Sequence, residues 1–260
     1  MAGNEIAVAK FLIDNIGEIT FEHLGLLNEI GAPNSNGGYI AVSSIEELSL
    51  ISTEDSSKKA DLYINGRGVS VKQSGASFPY NRLQRAEIIA VFTAIGYTDP
   101  EVKLNRIDKE IDDFHNGLLD RRQRPWGNLF DEQDFKKLVK FLMTEGSPNL
   151  GTSIHPAEFI LEAPNRGITS ENIHVFTFDE YFEKFKQNLF FSLRRQWIGQ
   201  SSKSEHNRAK GLARKEGNKK WVYDSVSGEP RVSRTSGEKW NPDVAENERK
   251  TVYMIFVEKT

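Results

Sequence analysis

Three features of the sequence predict an α/β (α+β) fold. Asn4-Glu5 opens an apolar stripe at Ile6, Ala9, Ile13 and Ile16 that Gly17 closes, the spacing of a helix with signals at both ends. Asn65-Gly66 lies between two alternating segments within residues 60–73, the pattern of a β-hairpin. Residues 173–178 and 251–257 are short runs of strand character in a chain that otherwise shows helical spacing. The 260 residues suffice for one domain, or for a core with a lobe.

Taken in order, the first helix is followed by a second short one expected over residues 20–30, stopped by Gly31 and Pro33, and by a loop at 34–38. A Ser/Glu-rich stretch through Lys59 reads as a helix with a polar connection. The hairpin comes next, then helices over about 81–95, 101–119 and 131–144, the last with a stripe at Phe135, Leu138, Phe141 and Leu142. An aromatic-rich helix is expected over 181–198, delivering the chain to a basic region and the final strand. Repeats and low-complexity tracts are lacking. The expected organisation is a single domain, with a core over 1–100, a helical middle over 101–198 and a basic region with the final strand over 199–260.

Composition narrows the function classes. No run approaches the ~18–20 apolar residues of a membrane span, and no basic and apolar leader opens the sequence, so a soluble protein of the cytoplasm is expected. The absence of cysteine excludes disulfide scaffolds, thiolate zinc sites, cysteine nucleophiles and iron–sulfur clusters. The five histidines show no H-x3-H or H-E-x-x-H spacing, and phosphate-loop, dinucleotide and G-x-S-x-G signatures are missing. Formal charge is −3, unevenly spread: residues 194–239 hold twelve Lys and Arg against five Asp and Glu, a local +7, so the rest carries −10. A concentrated positive stretch on an acidic chain looks like the footprint of a polyanion partner, and a solvated lysine-rich surface loop is the other reading.

The hairpin holds the chemistry. Residues two apart on a strand share a face, so Ser70 and Lys72 point one way and Val69 and Val71 the other. An even-length loop places Asp61 on the face of Ser70 and Lys72, opposite Ser70 if Asn65-Gly66 is a two-residue turn and opposite Lys72 if the loop spans 65–68. A carboxylate there can hold a hard divalent cation such as Mg²⁺, which acidifies a bound water and offsets charge on a phosphodiester. The ammonium can orient or deprotonate the water, or stabilise the transition state. A plain cross-strand ion pair is the other reading of the same residues.

Ala60-Asp61, a short spacer and Ser70-Val71-Lys72 resemble the core motif of the PD-(D/E)xK nucleases, the fold of most type II restriction endonucleases. The resemblance implies a mixed central sheet flanked by helices, with Asp61 and Lys72 as the motif's acid and lysine. Two departures are visible: Ala60 stands where proline is usual, and Ser70 where a second acid is usual. The resemblance offers two replacements for that acid, Glu87 in the helix after the hairpin and Glu5 at the start of the first helix. The layout, an N-terminal helix, a catalytic hairpin, a helical middle and a basic C-terminal β-hairpin region, resembles small restriction enzymes with short sites.

DNA would lie against the basic region. Lys219-Lys220-Trp221-Val222-Tyr223 followed by Ser227-Gly228 reads as a hairpin arm with Arg231 and Arg234 on its returning strand. Arginine suits bidentate contact with guanine, and lysine neutralises phosphate. Arg231 and Arg234 are therefore the expected base readers, Lys210, Arg214, Lys219 and Lys220 the expected backbone contacts, and Arg121, Arg122 and Arg124 a second contact. The expected activity is Mg²⁺-dependent hydrolysis at a short double-stranded DNA site within a restriction system, with Asp61, Ser70, Lys72, Glu87 and Glu5 as the catalytic and metal-binding set. A cognate DNA methyltransferase is implied by the resemblance alone. The alternatives are a repair or recombination nuclease of the same fold, or a non-catalytic DNA-binding protein.

Overall fold

The structure is a computed structural model that describes residues 4–51, 58–75, 83–147, 151–224 and 240–260. The described chain begins with α1 (Glu5–Asp14), the strand pair β1 (Thr20–Phe21) and β2 (Gly25–Leu26), then β3 (Ile30–Pro33), β4 (Tyr39–Val42) and α2 (Ile45–Ile51). The hairpin β5 (Leu62–Ile64) and β6 (Arg67–Gln73) precedes α3 (Arg85–Ala94), α4 (Pro100–His115), β7 (Gln123–Pro125) and α5 (Glu132–Lys140). A π-helical turn (Phe141–Glu145) leads to the pair β8 (Gly146–Ser147) and β9 (Gly151–Thr152). Then come β10 (Phe159–Ala163), β11 (His174–Thr177), α6 (Phe178–Phe185), β12 (Leu189–Ile198), α7 (Lys203–Ala213), β13 (Val222–Asp224) and β14 (Lys250–Lys259). None of the described helices is long and apolar enough to cross a membrane.

The class is mixed α/β, and the chain divides into two compact units that interleave in sequence. Unit 1 is Met1–Asn81, Glu132–Leu189 and Lys259–Thr260; unit 2 is Arg82–Asp131 and Phe190–Glu258. This division differs from the three consecutive segments expected.

Unit 1 is built on a six-stranded sheet in the order β11-β10-β6-β5-β3-β4. It is a mixed sheet: β10 runs parallel to β6, and every other neighbouring pair is antiparallel. Leu62, Ile64, Val69, Val71, Phe159, Leu161 and Ala163 form one apolar face, buried with Val8, Ala9 and Leu12 of α1 and Leu48 of α2. The other parity of the same strands carries Asp61, Ser70, Lys72, Ile160 and Glu162. Alternation along β5 and β6 thus separates the core from the polar cluster.

Unit 2 contains a four-stranded sheet in the order β13-β14-β12-β7, with α3, α4 and α7. Its fixed point is Asp108 on α4, only 5% exposed. Arg85 grips both carboxylate oxygens (3.0 and 2.9 Å), Lys220 donates to one at 2.7 Å and the Trp221 indole to the other at 2.6 Å. Burial raises the Asp108 pKa, and the hydrogen bonds from Arg85, Lys220 and Trp221 outweigh it, leaving the carboxyl below its usual range.

Several expectations need correction. Residues 20–30 are not a helix: Gly25 takes a positive φ of 71°, the chain folds back as β1 and β2, and Phe21, Leu27 and Ile30 reach the core from extended backbone. The helix expected over 181–198 stops at Phe185, and β12 takes over, because Leu189, Phe191 and Leu193 alternate into the interior with period two. The middle of the chain is not helical throughout, since β7, β10, β11 and β12 fall within it. Lys219 and Lys220 lie on the 3₁₀ turn Glu216–Trp221 and not on a hairpin strand. The turn expected at Ser227-Gly228 lies outside the described residues, and so do Arg231 and Arg234.

Candidate active site

Asn65 and Gly66 hold φ values of 50° and 77°, the paired left-handed conformation of a two-residue type I′ turn. The register follows: Leu62 faces Val69 and Ile64 faces Arg67. The Asn65 side chain makes the turn a clamp as well. Its oxygen accepts from the backbone N–H groups of Asn28 and Glu29 (2.9 and 3.1 Å), and its amide donates to the carbonyls of Leu24 and Leu26 (2.9 and 2.7 Å). Gly68 is required for a different reason. A Cβ there would sit 2.4 Å from the Pro156 carbonyl oxygen, where the chain entering β10 crosses the hairpin.

The two-residue turn places Asp61 opposite Ser70, with Lys72 one step along. Asp61 Oδ2 accepts from the Val71 N–H at 2.7 Å and the Ser70 hydroxyl at 3.3 Å. The Lys72 ammonium donates to Ser70 Oγ at 2.7 Å and to the Val71 carbonyl at 3.2 Å, and stands 4.0 Å from Asp61 Oδ2. Ser70 therefore bridges the acid and the amine. The Asp61 and Lys72 side chains are 24% and 14% exposed, so solvent or a ligand reaches both. Asp61 Oδ1 has no hydrogen-bonding or ion-pair partner among the described residues.

Two charged residues outside the sequence-derived set adjoin the cluster. Lys59 is 5% exposed, and its ammonium donates to the Leu142 carbonyl of the π-helical turn at 2.7 Å. Burial, and after it repulsion from Lys72, lower its pKa to about 8 against the attraction of Asp61. The backbone around it is fixed by His155, whose carbonyl accepts from the N–H groups of Lys59 and Ala60 (3.0 and 2.9 Å). The buried His155 ring is itself held, with Nε2 donating to the Asn34 carbonyl at 2.6 Å and Nδ1 accepting from the Tyr63 hydroxyl at 2.9 Å.

Glu162 is the second. It is the register partner of Lys72 on parallel β10 and forms a buried ion pair with Lys259 at 2.6 Å, both side chains 7% exposed. Lys259 also lies 4.0 Å from the Phe185 ring centroid. An acid inside the apolar run Phe159-Ile-Leu-Glu-Ala163 is a signal of a buried charge that the sequence contained. Nothing local to Lys59 marked it.

The other proposed site residues belong to other elements. Glu5 opens α1 next to Asn4, whose amide donates to the carbonyls of Ala163 and Pro164 (2.9 and 3.3 Å) at the end of β10. Glu87 belongs to unit 2 and accepts an ion pair from Lys215 at 3.1 Å. Among the described residues, no three His, Asp or Glu side chains gather closely enough to hold a metal ion together. Mg²⁺, however, is commonly bound by one or two carboxylates with waters and substrate phosphates completing its shell. Asp61, with one oxygen unengaged, fits such an ion as a single protein ligand.

The expected DNA contacts also divide. Lys220 is committed to Asp108, Arg122 to Glu258 at 3.1 Å, Arg124 to Glu110 at 2.5 Å and Lys219 to Glu216 at 2.7 Å. Lys210, Arg214 and Arg121 are exposed. Compared with known proteins, the chain matches no protein-family model, no curated protein and no solved structure.

Proposed function

We propose that this protein is a Mg²⁺-dependent endodeoxyribonuclease of the restriction type, hydrolysing both strands of a short DNA site. The observation that carries the proposal is the Asp61–Ser70–Lys72 chain of contacts on one face of a hairpin whose other face is core. The setting supports it: the hairpin is central in a mixed sheet flanked by helices, the arrangement implied by the PD-(D/E)xK resemblance.

Asp61 would be the protein's ligand to Mg²⁺, which when bound acidifies a water and offsets charge on the phosphodiester. Lys72, oriented by Ser70, stands where it can position that water or neutralise the developing charge. Ser70, in the place of the usual second acid, acts as the bridge that fixes the Lys72 rotamer. Lys59 and Lys72 set two cations beside Asp61, a field that favours the approach of a phosphate. A methyltransferase that protects the host site belongs to this proposal only through the resemblance.

That no three His, Asp or Glu side chains gather among the described residues is the observation that favours a second reading, a DNA-binding protein without catalysis. Supercoiled plasmid incubated with the protein and Mg²⁺ or Mn²⁺ separates the two. Discrete fragments are expected, lost in Asp61→Ala and Lys72→Ala while both variants still shift DNA in a gel. A shift without cutting by the unaltered protein transfers the conclusion to the second reading. Cutting confined to branched or damaged DNA makes it a repair or recombination nuclease.

A further inference from the structure

Unit 2 contains a cleft of about 530 Å³ between the end of α4 and β12. Arg122, Arg194, Arg195, His115, Phe114 and Trp197 are among its lining residues. Arg195 is its built element. Its guanidinium carbon lies 4.8 Å from the Trp197 ring centroid and 5.8 Å from that of Phe114, so two aromatic side chains hold the planar group. Half-buried cations are normally matched by an acid. Among the described residues, Arg195 has no carboxylate within ion-pair distance. Its charge is felt by the groups behind it. Burial and then Arg195 lower the pKa of His115, whose Nδ1 lies 3.0 Å from the Tyr253 hydroxyl. The arginines face one acid in the lining, Asp120, and Arg122 is also paired with Glu258.

We propose that this cleft is an anion site for a phosphate group, with Arg195 as the anchor and Arg194 and Arg122 beside it. Three arguments select phosphate. A guanidinium fork matches two phosphate oxygens bidentately, and aromatic stacking pre-orients the fork before the ligand arrives. The volume greatly exceeds that of a bound water and admits a phosphate with a sugar attached. Arg122 is paired with Glu258 at 3.1 Å, whereas the charge of Arg195 is met by no carboxylate within ion-pair distance among the described residues. The phosphate can come from the backbone of a nucleic acid or from a free nucleotide. Only the first source rests on the nuclease proposal; the site itself does not.

The test uses the full chain, Arg195→Gln, Arg194→Gln and Arg195→Lys, each checked by thermal melting, with Lys10→Ala as a surface control. A labelled DNA duplex is titrated by anisotropy across a salt series, and inorganic phosphate and adenosine monophosphate are titrated by calorimetry. If the source is nucleic acid, Arg195→Gln weakens duplex binding tenfold or more at low salt. Its log K against log salt slope then falls by about one phosphate contact, ~0.9. Arg195→Lys then keeps the slope and loses part of the affinity, since it retains the charge without the fork. If the source is a free nucleotide, adenosine monophosphate or phosphate binds the unaltered protein with an affinity that Arg195→Gln abolishes, and duplex binding is unchanged. Folded Arg195→Gln and Arg194→Gln proteins that bind all three probes like the unaltered chain overturn the proposal. Plasmid cleavage, read in parallel, reports on Asp61 and not on this cleft, so the two proposals can fail separately.

Discussion

Asp61 in unit 1 and Asp108 in unit 2 are both aspartates set among cations, and they differ in how completely their charge is used. Both oxygens of Asp108 are occupied, by a bidentate arginine, a lysine and an indole, and the residue is 5% exposed. Asp61 shows 24% of its side chain and, among the described residues, engages its neighbours through one oxygen only. A saturated carboxylate has no valence left for a ligand and serves the fold. A carboxylate with an open oxygen, next to an amine held by a serine, retains capacity for chemistry. The comparison also explains why Lys220, which reads as a phosphate contact in sequence, is a structural residue.

The largest expected effect tests the reactive side of this contrast. Asp61→Ala should reduce plasmid cleavage by about 10³-fold or more with little change in urea midpoint, as loss of a group that acts in the transition state does. Asp108→Ala should do the reverse. It leaves Arg85 buried beside a lost partner, and urea denaturation should show a loss of about 3–5 kcal/mol. The acid dependence of Asp108 has a definite sign. Its folded pKa is depressed, so its contribution is present above the ordinary carboxylate range near ~4 and is lost as pH falls through the lower folded value. Asp108→Asn should flatten that acid limb.

Lys59 sharpens the comparison from the cation side. Its folded pKa of about 8 lies below the unfolded value near ~10.4, so between them the unfolded chain binds more protons and stability rises with pH. Lys59→Met should remove that alkaline rise and stabilise the protein at pH 7, by at most the order of 3 kcal/mol implied by the shift. Cleavage by this variant should fall if the positive field near Asp61 assists the phosphate. Ser70→Ala should have a smaller effect, about a tenfold loss of cleavage, equivalent to one bridging hydrogen bond. Smallest of all, Lys219→Ala should leave the urea midpoint unchanged, because its partner Glu216 is as exposed as it is.

Legibility in the sequence tracked the range of the interactions involved. The hairpin was legible because turn chemistry and period-two alternation act over about ten residues, and Asn65-Gly66 permits the φ values that one register demands. Helix α1 was legible in the same way, but not its buried face: Val8, Ala9 and Leu12 face the core, while Ile6 and Ile16 of the expected stripe are exposed and Ile16 lies beyond the helix. Residues 189–198 were misread because an aromatic-rich run satisfies helical spacing until a partner strand exists, and β14 and β7 supply that partner from distant positions. Lys59 and Glu162 were missed because their significance depends on Leu142 and Lys259, 83 and 97 residues away.

By itself, then, the amino-acid order determined that Asp61, Ser70 and Lys72 would share a face once an even-length loop formed, since strand alternation leaves no other outcome. It also determined that a positive segment would occur late in the chain. Only the tertiary structure decided which of those cations remain available and which carboxylates stay open. Ion pairing and burial join residues far apart in sequence, through packing that local propensity does not encode. The same long-range packing set β10 parallel to β6, placed Glu162 beside Lys72, and left Arg195 near two rings with no acid in ion-pair distance among the described residues.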